Sequence, residues 1–172
     1  MSILQAFGIT QELPKPLIAF TDGSCLGNGS SHAKGGFAVV WPHTPEHNIG
    51  IPMKKEVHGA ITNNRAELYA ILQAFQIAEK INPENSKTLE IYSDSKLLVQ
   101  TMNEWLRNWK QNSWKRVDKK PVLNRDLLEQ LDQWMSKRSW KINHVRAHTG
   151  KNNFEAKWND LADRLAQQAS HK

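Results

Sequence analysis

Leu17-Ile18-Ala19-Phe20-Thr21-Asp22-Gly23-Ser24-Cys25-Leu26-Gly27-Asn28 is an apolar run that meets a carboxylate and then a glycine-rich turn. Leu17 to Asp22 reads as a buried strand, and the turn that follows ends it. A carboxylate at the carboxyl end of a buried strand contributes nothing to packing, and in open α/β sheets that edge is where ligands bind. Asp before Gly is also ordinary turn chemistry, so this stretch alone leaves a turn cap and a site residue both open. The chain then repeats the device. Thr88-Leu89-Glu90-Ile91-Tyr92-Ser93-Asp94-Ser95 alternates apolar residues and ends in a hydroxyl residue and an Asp.

The period changes between these two strands. Asn64 to Ile81 carries Ala66, Ala70, Ala74, Ile77 and Ile81 at helical spacing, widened by Leu68, Ile71 and Phe75, with Thr62 or Asn63 as N-cap. Gly35 to Trp41 reads as the hairpin partner of the first strand. Asn48 to Val57 reads as an edge strand, given Pro52 and the lysines beside it. A helix is expected from Lys96 to about Asn103, and an amphipathic one over Arg125–Met135 on Leu127, Leu128, Leu131 and Met135. Trp140 to Val145 alternates as a last strand. Arg146 to Lys157 reads as polar loop and Asn159 to Ala169 as a closing helix. This order predicts an α/β fold, a mixed sheet with helices on its faces. A chain of 172 residues makes one domain, assigned to 17–170, with 1–16 as a polar N-terminal tail.

The net charge is +6. Between Trp105 and Lys120 lie Arg107, Lys110, Lys115, Arg116, Lys119 and Lys120 against Asp118 alone, which suggests a polyanionic partner. Cys25 is the only cysteine, so no intrachain disulfide can form. No apolar run approaches membrane-spanning length and no secretory leader is evident. The expected setting is cytoplasmic, with other intracellular compartments left open, and the expected state a monomer without membrane contact.

If the strands ending at Asp22 and Asp94 are parallel neighbours joined through the 64–81 helix, their carboxylates share one sheet edge. Glu67, expected in the first turn of that helix, can approach the same edge. Three converging carboxylates repel one another unless cations lie between them, and hard divalent ions with oxygen ligands resolve the conflict, Mg²⁺ above all. Two such ions can clamp the attacking water and the leaving oxygen of a phosphodiester. Carboxylates beside a cationic segment therefore point to nucleic-acid hydrolysis.

Thr21-Asp22-Gly23-Ser24-Cys25-Leu26-Gly27-Asn28, Thr62-Asn63-Asn64-Arg65-Ala66-Glu67-Leu68 and Tyr92-Ser93-Asp94-Ser95 resemble the three carboxylate motifs of type 1 ribonuclease H. Trp109-Lys110, Trp114-Lys115, Asp118 to Asn124, His144 to Gly150 and Asn159 to Ala166 match its later motifs in order, so the likeness runs from about Leu17 to Ala169. The resemblance implies a five-stranded mixed sheet with helices on both faces and a basic helical handle. It implies hydrolysis of the RNA strand of RNA–DNA hybrids with two Mg²⁺ ions, Mn²⁺ being a substitute. By the same likeness Asp22, Glu67, Asp94 and Asp163 would hold the metals, and His148 would assist proton transfer or product release. Asp160 is a rival to Asp163, but the family pattern of Asn, two residues, Ala and Asp fits Asn159 through Asp163. Asp160 then reads as a first-turn acid favoured by the helix dipole.

Hybrid recognition requires reading 2′-hydroxyls, and the matching positions are Asn28, Asn63 and Asn64. Trp105, Trp109, Lys110, Trp114 and Lys115 belong to the handle that would carry the DNA strand, Trp109 foremost, with Trp105 and Trp114 also read as packing the handle onto the body, while Thr62 and Asn124 match a phosphate pocket. The sequence departs from the family's pattern at three places. Ala60 stands where many members have a basic residue, and Lys96 where some have Gln. The interval from His148 to Asp163 is long, which predicts an enlarged mobile loop within 151–158. A silent hybrid or double-stranded-RNA binder, a DNA nuclease or recombinase on the same fold, and a piece of a reverse transcriptase are the competing readings.

Overall fold

The computed structural model describes residues 14–28, 30–105, 108, 111, 123–147 and 152–172. Five strands form one sheet: β1 (Leu17–Leu26), β2 (Lys34–Val40), β3 (Ile49–Pro52), β4 (Leu89–Ser93) and β5 (Trp140–His144), in the spatial order β3-β2-β1-β4-β5. The pairs β1/β4 and β4/β5 are parallel, and the other two are antiparallel. The mixed sheet expected from the element order is the one observed.

β1 is longer than its apolar run suggests because its two halves have different partners. Leu17–Phe20 pair in parallel with Leu89–Tyr92, whereas Phe20–Leu26 pair antiparallel with Lys34–Val40. Asp22 is therefore in mid-strand, held on one side by Ala38 and lying just past the last rung shared with β4. β4 itself stops at Ser93, so Asp94 emerges beside that unpaired flank. One strand running on while its neighbour ends opens the edge where both carboxylates sit.

The two-residue period of β1 sends alternate side chains to opposite layers. Leu17 and Ala19 join the larger core with Val39, Trp41, Ile71, Phe75, Leu89, Ile91, Leu127 and Leu131. That core lies under helices α2 (Asn63–Ile81), α3 (Lys96–Gln100) and α4 (Arg125–Met135). Ile18 and Phe20 point the other way, packing with Val40 and Tyr92 against Ala162, Trp158, Leu161 and Leu165 of α5 (Phe154–Ser170). Helices thus cover both faces. No helix among the described residues is long and apolar enough to cross a membrane.

Several local expectations are corrected. The segment Asn48 to Val57 is not one strand: β3 covers Ile49–Pro52, and Lys55–His58 forms the one-turn helix α1. Pro52 has no N–H with which to extend the ladder, and Lys54 N–H turns to donate to His58 Nδ1 at 2.9 Å. After α3 the chain continues as a wider helical turn over Thr101–Trp105, where Thr101 Oγ1 donates back to Leu97 O at 2.9 Å. The closing helix begins at Phe154, five positions earlier than Asn159, because Asn153 caps it by accepting from Ala156 N–H at 2.8 Å. Phe154 to Trp158 therefore lengthen a helix and do not enlarge a loop. Asp160, well inside α5, is no first-turn acid.

Arg138 is buried and stitches the end of α2 to the segment before β5. Its guanidinium donates to Asn82 O at 2.8 Å, Asn85 Oδ1 at 2.8 Å, Ala78 O at 3.2 Å and Lys87 O at 3.1 Å. Ala78 O and Asn82 O also accept from the backbone N–H of Asn82 and Asn85, so the guanidinium adds a second donor at the frayed end of the helix. Arg138→Met is expected to cost about 1–3 kcal/mol, from the lost donors to Lys87 O and Asn85 Oδ1, read as a lower urea midpoint at unchanged m-value.

Candidate active site

The open edge of the sheet gathers four acidic side chains from four elements. Asp22 comes from β1, Glu67 from α2, Asp94 from the residue after β4, and Asp163 from α5. Carboxylate oxygens of Asp22, Glu67 and Asp94 all lie within 4.8 Å of one another. Asp163 joins them through a side-chain hydrogen bond with Asp22, and its Oδ2 accepts from Gln167 Nε2 at 3.1 Å. Glu67 sits in the second turn of α2, not the first, since Thr62 is the N-cap. That extra turn carries it past the helix end and down beside Gly23, whose backbone N–H donates to it.

The approach of α2 to β1 is very close. A Cβ at Gly23 would meet Glu67 N at 2.5 Å and the Ala66 carbonyl carbon at 2.7 Å, distances no side chain tolerates. On the other layer a Cβ at Gly36 would meet Ser170 N at 2.6 Å and Ala166 O at 2.7 Å. Two glycines, one per face, let both helices lie on the backbone of the hairpin and bring Glu67 and Asp163 to the same edge.

Electrostatically the site is unbalanced. Asp22 and Glu67 are 3% and 9% exposed. Burial pushes the Asp22 carboxyl far above the usual carboxylate range, and the charges of Glu67, Asp94 and Asp163 push it further. Glu67 is driven upward in the same way, by burial first and then by Asp94. Glu67 Oε2 is buried with no hydrogen-bond partner. Buried polar atoms are almost always paired, so an orphaned carboxylate oxygen inside an acidic cluster fits a cation as the missing partner.

A rim of amides and hydroxyls borders this edge. Asn28, on the β1–β2 turn, accepts through Oδ1 from Asn63 N–H at 2.9 Å, tying the turn to the start of α2. Cys25 Sγ donates to Ile61 O at 3.5 Å and reinforces the same junction. Asn63 and Asn64 are exposed on the first turn of α2. Thr62 Oγ1 accepts from Arg65 N–H at 3.2 Å, and Asn124 Oδ1 accepts from Arg65 Nη1 at 3.2 Å. Of the remaining residues singled out in the sequence, Trp109, Lys110, Trp114, Lys115 and His148 lie outside the described residues, as do 1–13, and Trp105 is described in its backbone alone.

The family profile of RNase H matches residues 14–171, taking in the whole sheet, its helices and all four carboxylates. The chain belongs to the ribonuclease H family. It is 35% identical over 159 residues to the ribonuclease H of Clostridium botulinum, covering 90% of this chain and 95% of that one. The ribonuclease H of Francisella tularensis subsp. novicida is likewise 35% identical, over 89% of this chain and 90% of its own. Among solved structures, the PFV RNase H domain superposes with a TM-score of 0.68 at 25% identity, covering 90% of this chain and 94% of that one. This ribonuclease H is an endoribonuclease, a hydrolase of the phosphodiester backbone.

One residue of this ribonuclease H stands closer to the carboxylates than the sequence reading placed it. Asn159 was only a landmark for Asp163, yet its side chain is 1% exposed and its Nδ2 lies 3.4 Å from Asp94 Oδ2. Its Oδ1 is buried without a partner. The signal was available: Asn159 and Asp163 are four apart on one helix, hence on one face.

Proposed function

We propose that this ribonuclease H cleaves the RNA strand of RNA–DNA hybrids at the carboxylate edge, using two divalent cations held by Asp22, Glu67, Asp94 and Asp163. The observation that carries this reading is the convergence of Asp22, Glu67 and Asp94 within 4.8 Å, the first two buried and Asp94 half-buried, with burial and like charge pushing the Asp22 and Glu67 carboxyls upward. The donor set is all oxygen, which suits Mg²⁺, with Mn²⁺ as a substitute. The partnerless Glu67 Oε2 fits the same ions. When bound, such ions would stabilise the attacking and leaving oxygens of a displacement at phosphorus.

The chain's own residues do the rest. Asp22 and Asp163 are close enough to share a proton when no cation is present, so their oxygens meet at one place where a cation would replace that proton. Asn159 Nδ2 steadies Asp94. His148, by its place in the family motif, would assist proton transfer or product release. Asn28 has its carbonyl oxygen engaged by Asn63 N–H, so what it presents outward is an NH₂ donor. A donor suits a 2′-oxygen or a minor-groove acceptor, and Asn63 and Asn64 stand beside it. The basic, Trp-rich segment 105–120 would take the DNA strand through phosphate and stacking contacts. In this reading 17–170 form one catalytic domain acting as a monomer in the cytoplasm, and 1–16 are a tail.

The test is incubation with labelled RNA–DNA hybrid, double-stranded RNA and duplex DNA, with Mg²⁺, with Mn²⁺ and with chelator. Only the RNA of the hybrid should be cut, chelator should stop the reaction, and either ion should restore it. Cleavage that persists in chelator, or equal cutting of duplex DNA, would refute the reading.

A further inference from the structure

Asn28 is the one asparagine in the chain that is followed by glycine. The pairing has a chemical consequence. The amide nitrogen of the next residue can attack an asparagine's own side chain, and a following glycine has no Cβ to hinder that approach. Asn28 is exposed and lies in a turn closed by Ser30 N–H donating to Gly27 O at 2.9 Å. It stands past the end of β1 at Leu26 and before β2 begins at Lys34, so no ladder holds its backbone.

The side chain is also placed for attack. Asn28 Oδ1 accepts from Asn63 N–H at 2.9 Å, at the head of α2. Oδ1 is the atom that gains negative charge when Cγ is attacked, and a backbone donor at a helix N-terminus stabilises such charge.

Other positions lack one part of this arrangement. Asn63 and Asn64 are exposed, but Asn64 and Arg65 follow them inside α2. Asn124 stands in the left-handed region at φ 60°, yet Arg125 follows it. Asp22-Gly23 could close the same ring from a carboxyl group. There Asp22 is buried in mid-strand, and the attacking group, Gly23 N–H, already donates to Glu67.

We propose that Asn28 is a site of spontaneous deamidation, and that the change weakens hybrid binding at the rim of the active site. The Gly29 nitrogen bonds to Asn28 Cγ and gives up its proton, and Nδ2 leaves as ammonia. One water opens the resulting five-membered imide at either carbonyl, leaving aspartate or isoaspartate; nothing is oxidised or reduced. Aspartate still accepts from Asn63 N–H and suits the positive end of α2, so the fold is kept. It has lost both amide donors and sets a negative charge beside a polyanionic substrate. Isoaspartate does the same and adds a methylene to the main chain between Gly27 and Ser30. The effect on binding rests on the hybrid-cleaving reading above, whereas the modification does not.

The test ages the intact protein in warm neutral buffer, following it by peptide mass mapping and by hybrid cleavage. Fresh Asn28→Asp and aged Gly29→Ala are run beside it. The peptide holding Asn28 should gain about 1 Da, the exchange of NH₂ for OH, and become a substrate for an isoaspartate-specific methyltransferase. KM for hybrid should rise roughly tenfold as that peptide converts, with a much smaller change in kcat. Fresh Asn28→Asp should start at the raised KM, and its difference from the parent should narrow as salt screens the added charge. Gly29→Ala should begin with the parent's kinetics and keep them on ageing.

An aged parent that gains no mass at Asn28, or gains it first at another asparagine, overturns the assignment of the site. Conversion at Asn28 with KM unchanged, or a fresh Asn28→Asp that binds hybrid as the parent does, overturns the consequence for binding. A parent that converts at Asn28 but never cuts hybrid refutes the cleavage reading and the binding effect with it, while upholding the modification.

Discussion

Asp22→Asn is expected to reduce hybrid cleavage roughly a hundredfold to a thousandfold, because losing a stabiliser of charge at the reacting phosphate costs about 3–4 kcal/mol. Hybrid binding should survive, since Asn keeps the shape and removes a repulsive charge. The same change should make the metal-free protein more stable. Folding pushes the Asp22 and Glu67 carboxyls upward, through burial and mutual repulsion. Above the ordinary carboxylate range near pH 4 the folded state therefore holds more protons than the unfolded chain. Its stability falls as pH rises from there through neutrality.

Replacing Asp22 by a neutral isostere removes much of that loss, by something on the order of 2 kcal/mol, or about 4–8 °C in Tm for a chain of this size. The gain should be larger at pH 8 than at pH 5. Mg²⁺ should raise the Tm of the parent more at pH 8 than at pH 5, and raise that of the variant less. Thermal melts with and without Mg²⁺ at the two pH values check all of this. A variant that still cuts at a tenth of the parent's rate, or melts lower without metal, contradicts the assignment of Asp22.

Gly23→Ala is the second large effect. The added methyl would lie 2.5 Å from Glu67 N, 2.7 Å from the Ala66 carbonyl carbon and 2.8 Å from Ala66 Cβ. Two of these three atoms are backbone, so no rotamer relieves the clash and α2 must move off β1. Overpacking of this kind costs about 1–3 kcal/mol. Glu67 moves with the helix, and a shift of roughly an ångström at a reacting site is worth about a hundredfold in rate.

Gly35→Ala is the control. Its methyl would meet Ile61 Cγ2 at 2.8 Å and Met53 Sδ at 3.0 Å, ends of side chains that can turn aside. It should lose some stability and little kcat. Equal losses of kcat in the two variants would mean that the close approach at Gly23 does not place Glu67.

Much of the site was legible because its signals are local. An apolar run stopping at Asp is visible at Asp22 and again at Asp94, and the helical period between them calls for a crossover that aligns the two. The four-residue spacing of Asn159 and Asp163 is equally local, though only Asp163 was taken from it. Less legible were the boundaries that depend on partners. β1 runs on to Leu26 because β2 supplies hydrogen bonds where β4 has ended. The start of α5 depends on Asn153 serving as a cap, which polar loop composition concealed.

The sequence by itself determined the layers of this ribonuclease H, the strands that carry its acids and the family it belongs to, since period, turn chemistry and motif order are properties of neighbours along the chain. Only the tertiary structure decided how near those acids come. Gly23 admits α2 to the backbone of β1, Gly36 admits α5 to β2, and Arg65 bonds to Asn124 and Asp126, 59 and 61 positions away. Burial and like charge then shift Asp22 and Glu67 together, because repulsion depends on distance in space, and no spacing along the chain records it.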